Sequence, residues 1–345
     1  MVRSAGYGSS LLDQNVNFID SFLAYDELDL IYFRIEYLSQ MVSKTVIAES
    51  SLSHKGLSKP LYIFDHMSKN FIEQFNVTFL NLDISSFSNG WGKEIASREI
   101  LAEYLRQNFQ SDFVVLSDVD EIPSLEQLEF LHLNPGTYHF RSTTSYRRAN
   151  WMLKDSHSHW NRGVVGVGSK LLSENGGRML KLPIIDLPKQ NGVHLSYLEF
   201  EKDTMLNKLP RVLDHGVAFP HELVSYLLPL SMRYQIDHLG RAREKGFGVF
   251  DILQFQSLPP ILRHLYKKNT LLFDFEVKKK FLSRILASIL LSAIVNNVKH
   301  FQFLQSKNKD TRFRFLFCFK VIPLFILELC QVGIRAIARI IKLKV

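Results

Sequence analysis

The sequence predicts an α/β protein with a doubly wound, mixed but mainly parallel sheet of the Rossmann-like kind, followed by a helical C-terminal appendage. Three observations predict it. Apolar runs of strand length alternate with segments of helical spacing from Asn17 to about Gly136, which is the pattern of successive β-α-β units. One of the apolar runs ends in an acidic turn, as ligand-bearing strand ends in such sheets do. The last eighty or so residues lose the alternation and become basic and helically patterned. The organisation expected is an N-terminal extension over 1–16, a sheet domain over 17–265 and a tail over 266–345.

The first unit begins with Phe18-Ile19-Asp20-Ser21-Phe22-Leu23, which reads as a strand. Asp26, Glu27 and Asp29 suit the start of a helix, where acidic side chains complement the dipole. Leu30, Ile31, Phe33, Arg34, Tyr37, Leu38 and Met41 then keep helical spacing, and Thr45 to Glu49 gives a short buried strand. The alternation continues through Pro60–Phe64 and Val77–Leu80, a helix from about Glu94 to Gln107, and the strand Phe113-Val114-Val115-Leu116. A helix follows Ser124, and Asn134-Pro135-Gly136 turns the chain into a strand at Tyr138–Phe140. From Tyr146 to His238 the pattern is less regular and rich in aromatics and histidines, and acceptor-side loops are expected there.

Composition excludes several classes. With 345 residues, nearly half of them apolar, and with no repeat or low-complexity stretch, the chain is neither disordered nor a solenoid. Its formal charge of +8 is unevenly spread: residues 274–345 hold fourteen Lys/Arg against four Asp/Glu, and the rest is nearly neutral. A basic tail rich in Phe, Ile and Leu fits an anionic membrane surface better than nucleic acid. Within it Arg335, Arg339 and Lys342 line a helical face opposite Ile334, Ile337 and Ile341, while Lys320, Pro323 and Glu328 interrupt the one run long enough to span a bilayer. A core-packing helical subdomain is the alternative. Two cysteines, Cys318 and Cys330, provide no disulfide framework, and the segment before Asn17 has no long apolar run. The expectation is therefore a protein at the cytoplasmic face of a membrane, held by its C-terminal end, with a bacterial inner membrane as the setting.

The chemistry is expected at Ser117-Asp118-Val119-Asp120-Glu121-Ile122-Pro123. Side chains two apart on an extended turn point the same way, so Asp118 and Asp120 can share one hard divalent cation, Mn²⁺ or Mg²⁺. Such a cation can bridge the phosphates of a nucleotide sugar and neutralise the diphosphate as it leaves. The plainer reading is an acidic strand end that caps the next helix through Asp120 or Ser124.

Three blocks then carry a resemblance: Phe18 to Leu30 (FIDSFLAYDELDL), Val46 to Ser50 with Gly56 to Leu61, and Ser117 to Pro123. In this order, and extending to about Glu222, they resemble the family-seventeen glycosyltransferases, whose best-known members add a bisecting β-1,4 N-acetylglucosamine to N-glycans. The resemblance implies a GT-A-like fold, a nucleotide-sugar donor (UDP-GlcNAc by default) and inversion at the anomeric carbon. It implies that Asp118 and Asp120 are the metal pair, that Glu49 lies near the uridine, and that Trp91, Glu94 and Arg98 match a W-x-x-E-x-x-Q-R block in which Ser97 replaces Gln. Gly192-Val193-His194-Leu195-Ser196-Tyr197 resembles a G-W-H-F-S-Y block with Val193 replacing Trp. His194 is then either a third metal ligand or a hydrogen-bonded structural histidine.

Displacement with inversion needs a base near the acceptor hydroxyl; Glu222, Glu121 and Asp186 are the candidates, and Glu222 is preferred for its place in the acceptor-side region. Arg147, Arg148, Arg162 and Lys170 are read first as surface cations, with a diphosphate contact as the alternative, and Trp151 and Trp160 as core residues before sugar platforms. The acceptor expected is a glycan or glycolipid. Two rivals differ in class. A haloacid-dehalogenase-type phosphotransferase would have Gly-Thr after its second aspartate, where this chain has Glu121-Ile122; a non-catalytic membrane-bound scaffold would have no need of an intact Asp118/Asp120 pair.

Overall fold

The computed structural model describes residues 17–53, 56–87, 90–153, 159–168, 181–187, 190–196, 198, 232–233, 235 and 250–276. They fall into two compact units, one within Met1–Ser142 and Asn161–Gly192, the other within Thr143–Trp160 and Val193–Val345. Glu222, Lys170, Tyr197 and the tail beyond residue 276 lie outside the described residues.

In the first unit, strand β1 (Phe18–Leu23), helix α1 (Leu28–Leu38) and strand β2 (Val42–Glu49) form the expected β-α-β unit. Strand β3 (Val77–Asn81) adds outside β2, and helix α4 (Gly90–Asn108) leads back to strand β4 (Phe113–Asp118) on the other side of β1. All four strands run parallel, and each contact is in continuous register except for one irregularity at Phe18/Ile19. Parallel strands covered on both faces are apolar throughout, and β4 obeys this, with Val114 and Val115 fully buried. The side of α4 carrying Ala96, Leu101, Ala102 and Leu105 packs with Ile19, Val46, Ala48, Val114 and Leu116 in one core.

Beyond β4 the parallel pattern ends. Strand β10 (Val164–Val167) is antiparallel to β4, strand β6 (Tyr138–Phe140) is antiparallel to β10, and strand β11 (Ile184–Ile185) runs parallel to β6. The sheet is thus mixed α/β, as expected, with its continuous parallel block in β1–β4 and one further parallel pair, β6 with β11. One expected strand is instead helical. Pro60–Phe64 enters the short helix α2 (Tyr62–His66), because the buried Glu49 carboxylate accepts from the Ile63 and Phe64 N–H groups and fixes a helix start there. Helix α3 (Lys69–Gln74), capped by Ser68, links α2 to β3.

The second unit contains an antiparallel arrangement whose middle strand falls in the stretch expected to be loops. Strand β7 (Ser142–Tyr146) pairs with β8 (Arg148–Leu153), and β8 pairs with β13 (Phe250–Ile252). The strands are short, so their period was hidden among turn residues. Trp151 is wholly buried, stacks on Phe250 at 5.6 Å and donates its indole N–H to the Asp274 carbonyl at 3.1 Å, which agrees with its reading as a core residue. Arg147 corrects the surface-cation reading: it is 1% exposed and takes a left-handed φ of 63° where the chain reverses between β7 and β8. Helix α6 (Pro260–Lys268) follows, with proline in its first turn and Lys267 and Lys268 in its last, each favourable at that end.

Candidate active site at the acidic turn

Strand β1 is the point where the sheet order reverses, with β2 and β3 on one side and β4 on the other. Ligands in open α/β sheets collect beyond the carboxyl ends of strands at such a reversal. Asp118 is the last residue of β4 and stands opposite Leu23, the last of β1. Val119 and Asp120 turn the chain, Glu121 and Ile122 form the two-residue strand β5, and Ser124 opens helix α5 (Leu125–Leu133). A full capping box closes that helix end: Gln127 N–H donates to Ser124 Oγ, and Ser124 N–H to Gln127 Oε1, both at 3.1 Å. Of the two caps the sequence allowed, Ser124 fills the position. Asp120 lies four residues earlier, in the turn that follows Asp118.

The turn is held from behind by Arg34 on α1. Its guanidinium is fully buried, lies 4.5 Å over the Phe22 ring and makes a two-pronged ion pair with Asp20 of β1, at 2.8 Å from Nε and 2.6 Å from Nη2. Nη2 also donates to Ser117 Oγ at 2.9 Å. Nη1 donates to the carbonyl oxygens of Asp118, Val119 and Glu121 at 2.7, 3.2 and 2.9 Å. Ser117 Oγ in turn donates to the Glu121 carbonyl at 2.8 Å. The Glu121 side chain is fully buried, and its carboxylate accepts from the Asp118 N–H at 3.3 Å.

On the open side, Asp118 is 29% exposed and its Oδ1 accepts from Arg98 Nη2 at 2.7 Å. Arg98 also pairs with Glu94, one turn earlier on α4, at 2.8 Å. The expected Glu94/Arg98 set and the acidic turn are therefore one charged cluster. Trp91 stands on the first turn of the same helix. Glu49, at the end of β2, accepts from Lys59 Nζ at 3.0 Å, and that ammonium lies 4.8 Å over the Tyr25 ring. A carboxylate, an ammonium and an aromatic ring thus stand together after β1 and β2.

Other candidates are placed elsewhere. Asp186 is paired with Arg141 at 2.7 Å and accepts from Asn191 at 2.9 Å. His194 is buried on strand β12 (Gly192–Ser196) and belongs to the second unit. Among the described residues no three His, Cys, Asp or Glu side chains gather as a metal cluster. Gly192 has a local reason to be glycine: a Cβ there would meet the Ile122 carbonyl oxygen at 2.3 Å and the Pro123 Cα at 2.9 Å. Gly192→Ala is expected to lose about 1–3 kcal/mol by overpacking, read from urea unfolding; a variant as stable as the parent would contradict this close approach.

Periodicity did not mark Asp20 and Arg34 as functional. The available signal was a charge on the apolar face of α1 and another inside an apolar strand, since buried charges of opposite sign require each other.

Residues 5–152 match the family model described as Glycosyltransferase family 17. Among solved structures the chain is similar to HddC from Yersinia pseudotuberculosis, at 12% identity over 53% of this chain and 90% of that one, with a TM-score of 0.29. It is also similar to the inositol-1-phosphate CTP transferase from T. maritima, at 11% identity over 44% and 71% of the two chains, with a TM-score of 0.25. No curated protein sequence matches.

Proposed function

We propose that the chain, whose residues 5–152 match the model described as Glycosyltransferase family 17, is an inverting, metal-dependent glycosyltransferase with a GT-A-like donor site. It moves N-acetylglucosamine from UDP-GlcNAc to a glycan or glycolipid hydroxyl. The observation that carries this reading is the acidic turn at the sheet's reversal point, with two carboxylates two residues apart and an arginine beside the first.

These residues fit a hard divalent cation. Asp118 and Asp120 offer oxygen ligands, and a two-carboxylate site suits Mg²⁺ or Mn²⁺, which fills its remaining positions with substrate phosphates and water. Asp118 and Asp120 would hold the ion, which would supply Lewis-acid neutralisation of the leaving diphosphate. Arg98 orients Asp118 and brings a second positive charge to the diphosphate side. Glu49 and Lys59 face the nucleoside side, Glu94 stands with Arg98 on α4, and Trp91 is a further donor contact proposed from the family block. Glu121 braces the turn through the Asp118 N–H and Asp186 is paired with Arg141, and Glu222 is the proposed base. Its carboxylate takes the acceptor proton as the acceptor oxygen bonds to the anomeric carbon and the bond to the diphosphate breaks on the opposite face.

The test is donor hydrolysis with Mn²⁺ across UDP-GlcNAc, UDP-Glc, UDP-Gal and GDP-Man, comparing the parent with Asp118→Asn. Turnover of UDP-GlcNAc above the others, lost on chelation and on Asp118→Asn, is expected. Turnover that needs no metal and ignores the substitution would overturn the reading.

The basic, apolar-rich composition of residues 274–345 supports a location at the cytoplasmic side of a membrane, and the acceptor would then be a membrane-borne glycan or glycolipid. Among the described residues no helix is long and apolar enough to cross a membrane. Full-length protein is expected to float with anionic vesicles and to stop doing so when the residues after Glu276 are removed; full-length protein that stays at the bottom of the gradient would refute the location.

A further inference from the structure

We infer that the buried Asp20–Arg34 pair is a positioning element that sets the shape of the metal-holding turn, a role that rests on the reading of Asp118 and Asp120 as metal ligands. A guanidinium has five N–H donors in a rigid fork. At Arg34 the Nε edge and one Nη2 hydrogen are taken by Asp20, and Nη2 also reaches Ser117 Oγ. Nη1 is left entirely to three carbonyl oxygens, those of Asp118, Val119 and Glu121.

An ion pair that served only the core would be complete with Asp20. The Nη1 contacts go further. They fall on three of four consecutive residues, and those four include both metal carboxylates. Fixing the Asp118 and Val119 carbonyls fixes the two peptide planes between Asp118 and Asp120, and so constrains the spacing of the two carboxylates. Asp20 aims the fork: both of its oxygens are engaged, so the guanidinium plane cannot rotate without breaking two charge-assisted bonds. A turn already in its binding shape gives up less freedom when it takes a cation, and groups that orient metal ligands change affinity by about 10–100-fold when altered.

The test is an Mn²⁺ titration of the full-length protein, following free Mn²⁺ by electron paramagnetic resonance, alongside thermal unfolding. Arg34→Lys keeps the charge and can keep Asp20 company, yet one ammonium cannot reach Ser117 and three turn carbonyls at once. It is expected to weaken Mn²⁺ binding by about 10–100-fold, with donor kcat falling more than donor KM changes. Ala102→Gly, at a buried position of helix α4 itself, serves as a variant that lowers stability without touching the turn, and its Mn²⁺ affinity should equal the parent's. Asp118→Asn reports on the reading beneath. If Asp118→Asn weakens Mn²⁺ binding while Arg34→Lys leaves it within twofold, the pair is a core contact only and the inference fails alone. If Asp118→Asn has no effect on Mn²⁺ binding, the metal reading fails and the inference with it. Should Arg34→Lys not fold, Ser117→Ala, which removes only the hydroxyl linking Arg34 to the Glu121 carbonyl, is expected to shift affinity in the same direction, and an unchanged affinity overturns the proposal.

Discussion

Asp120→Ala is expected to lower Mn²⁺-dependent donor turnover by about 10²–10³-fold, the rate equivalent of losing several kcal/mol of charge stabilisation on the leaving diphosphate. The fold should survive this change. Arg34 grips the turn through backbone carbonyls of Asp118, Val119 and Glu121, none of which belongs to Asp120. Ser117 and the Glu121 carboxylate brace the same segment through atoms that also lie outside Asp120. The substitution therefore separates chemistry from architecture. Turnover should collapse while urea unfolding shifts by less than the loss of about 3–5 kcal/mol expected for breaking the buried Arg34 pair. Parent-like turnover in Mn²⁺ would remove Asp120 from the site.

The second large effect is on stability. Arg34→Ala leaves the Asp20 carboxylate fully buried without its cation, and removing one member of a buried pair costs about 3–5 kcal/mol. Replacing both members, as Asp20→Leu with Arg34→Met, removes the stranded charge and should recover about 1–4 kcal/mol of that loss, because apolar residues of similar volume commonly substitute well for buried pairs. Recovery stays incomplete, since the Asp118, Val119 and Glu121 carbonyls lose their donor in both variants. Mn²⁺ affinity should not recover at all in the double variant. Urea unfolding and Mn²⁺ titration on the same samples check both halves. A single variant that loses less than 1 kcal/mol would contradict the burial and pairing seen at Arg34.

Legibility in the sequence followed the reach of each interaction. Strands β1, β2 and β4 and helix α1 could be read because an apolar run or a helical period is a local signal. Ser124 was readable as a cap for the same reason, with Gln127 three residues on. Asp118 could be placed at a strand end because four apolar residues lead directly to it. Pro60–Phe64 was misjudged because what makes it helical is Glu49, more than ten residues earlier. Arg147 was misjudged because a left-handed backbone and a buried guanidinium leave no mark on composition. Arg34 was in plain view on the apolar face of α1, but its partners sit on two other strands and the turn that follows them. Spacing within one helix cannot announce them.

The reach of Arg34 also orders events in time. The carbonyls it gathers lie 84 to 87 residues further along the chain, so the turn cannot take its binding shape when β1, α1 and β2 alone have formed. It must wait for β4 to arrive beside β1, after β3 and α4 have been laid down, and contacts so distant in sequence are slow to close. Capacity to take up a cation is then acquired late, and an incompletely folded chain would not compete for Mn²⁺ with finished molecules. Conversely, metal and donor bound at the turn stabilise only the state in which that distant closure is complete.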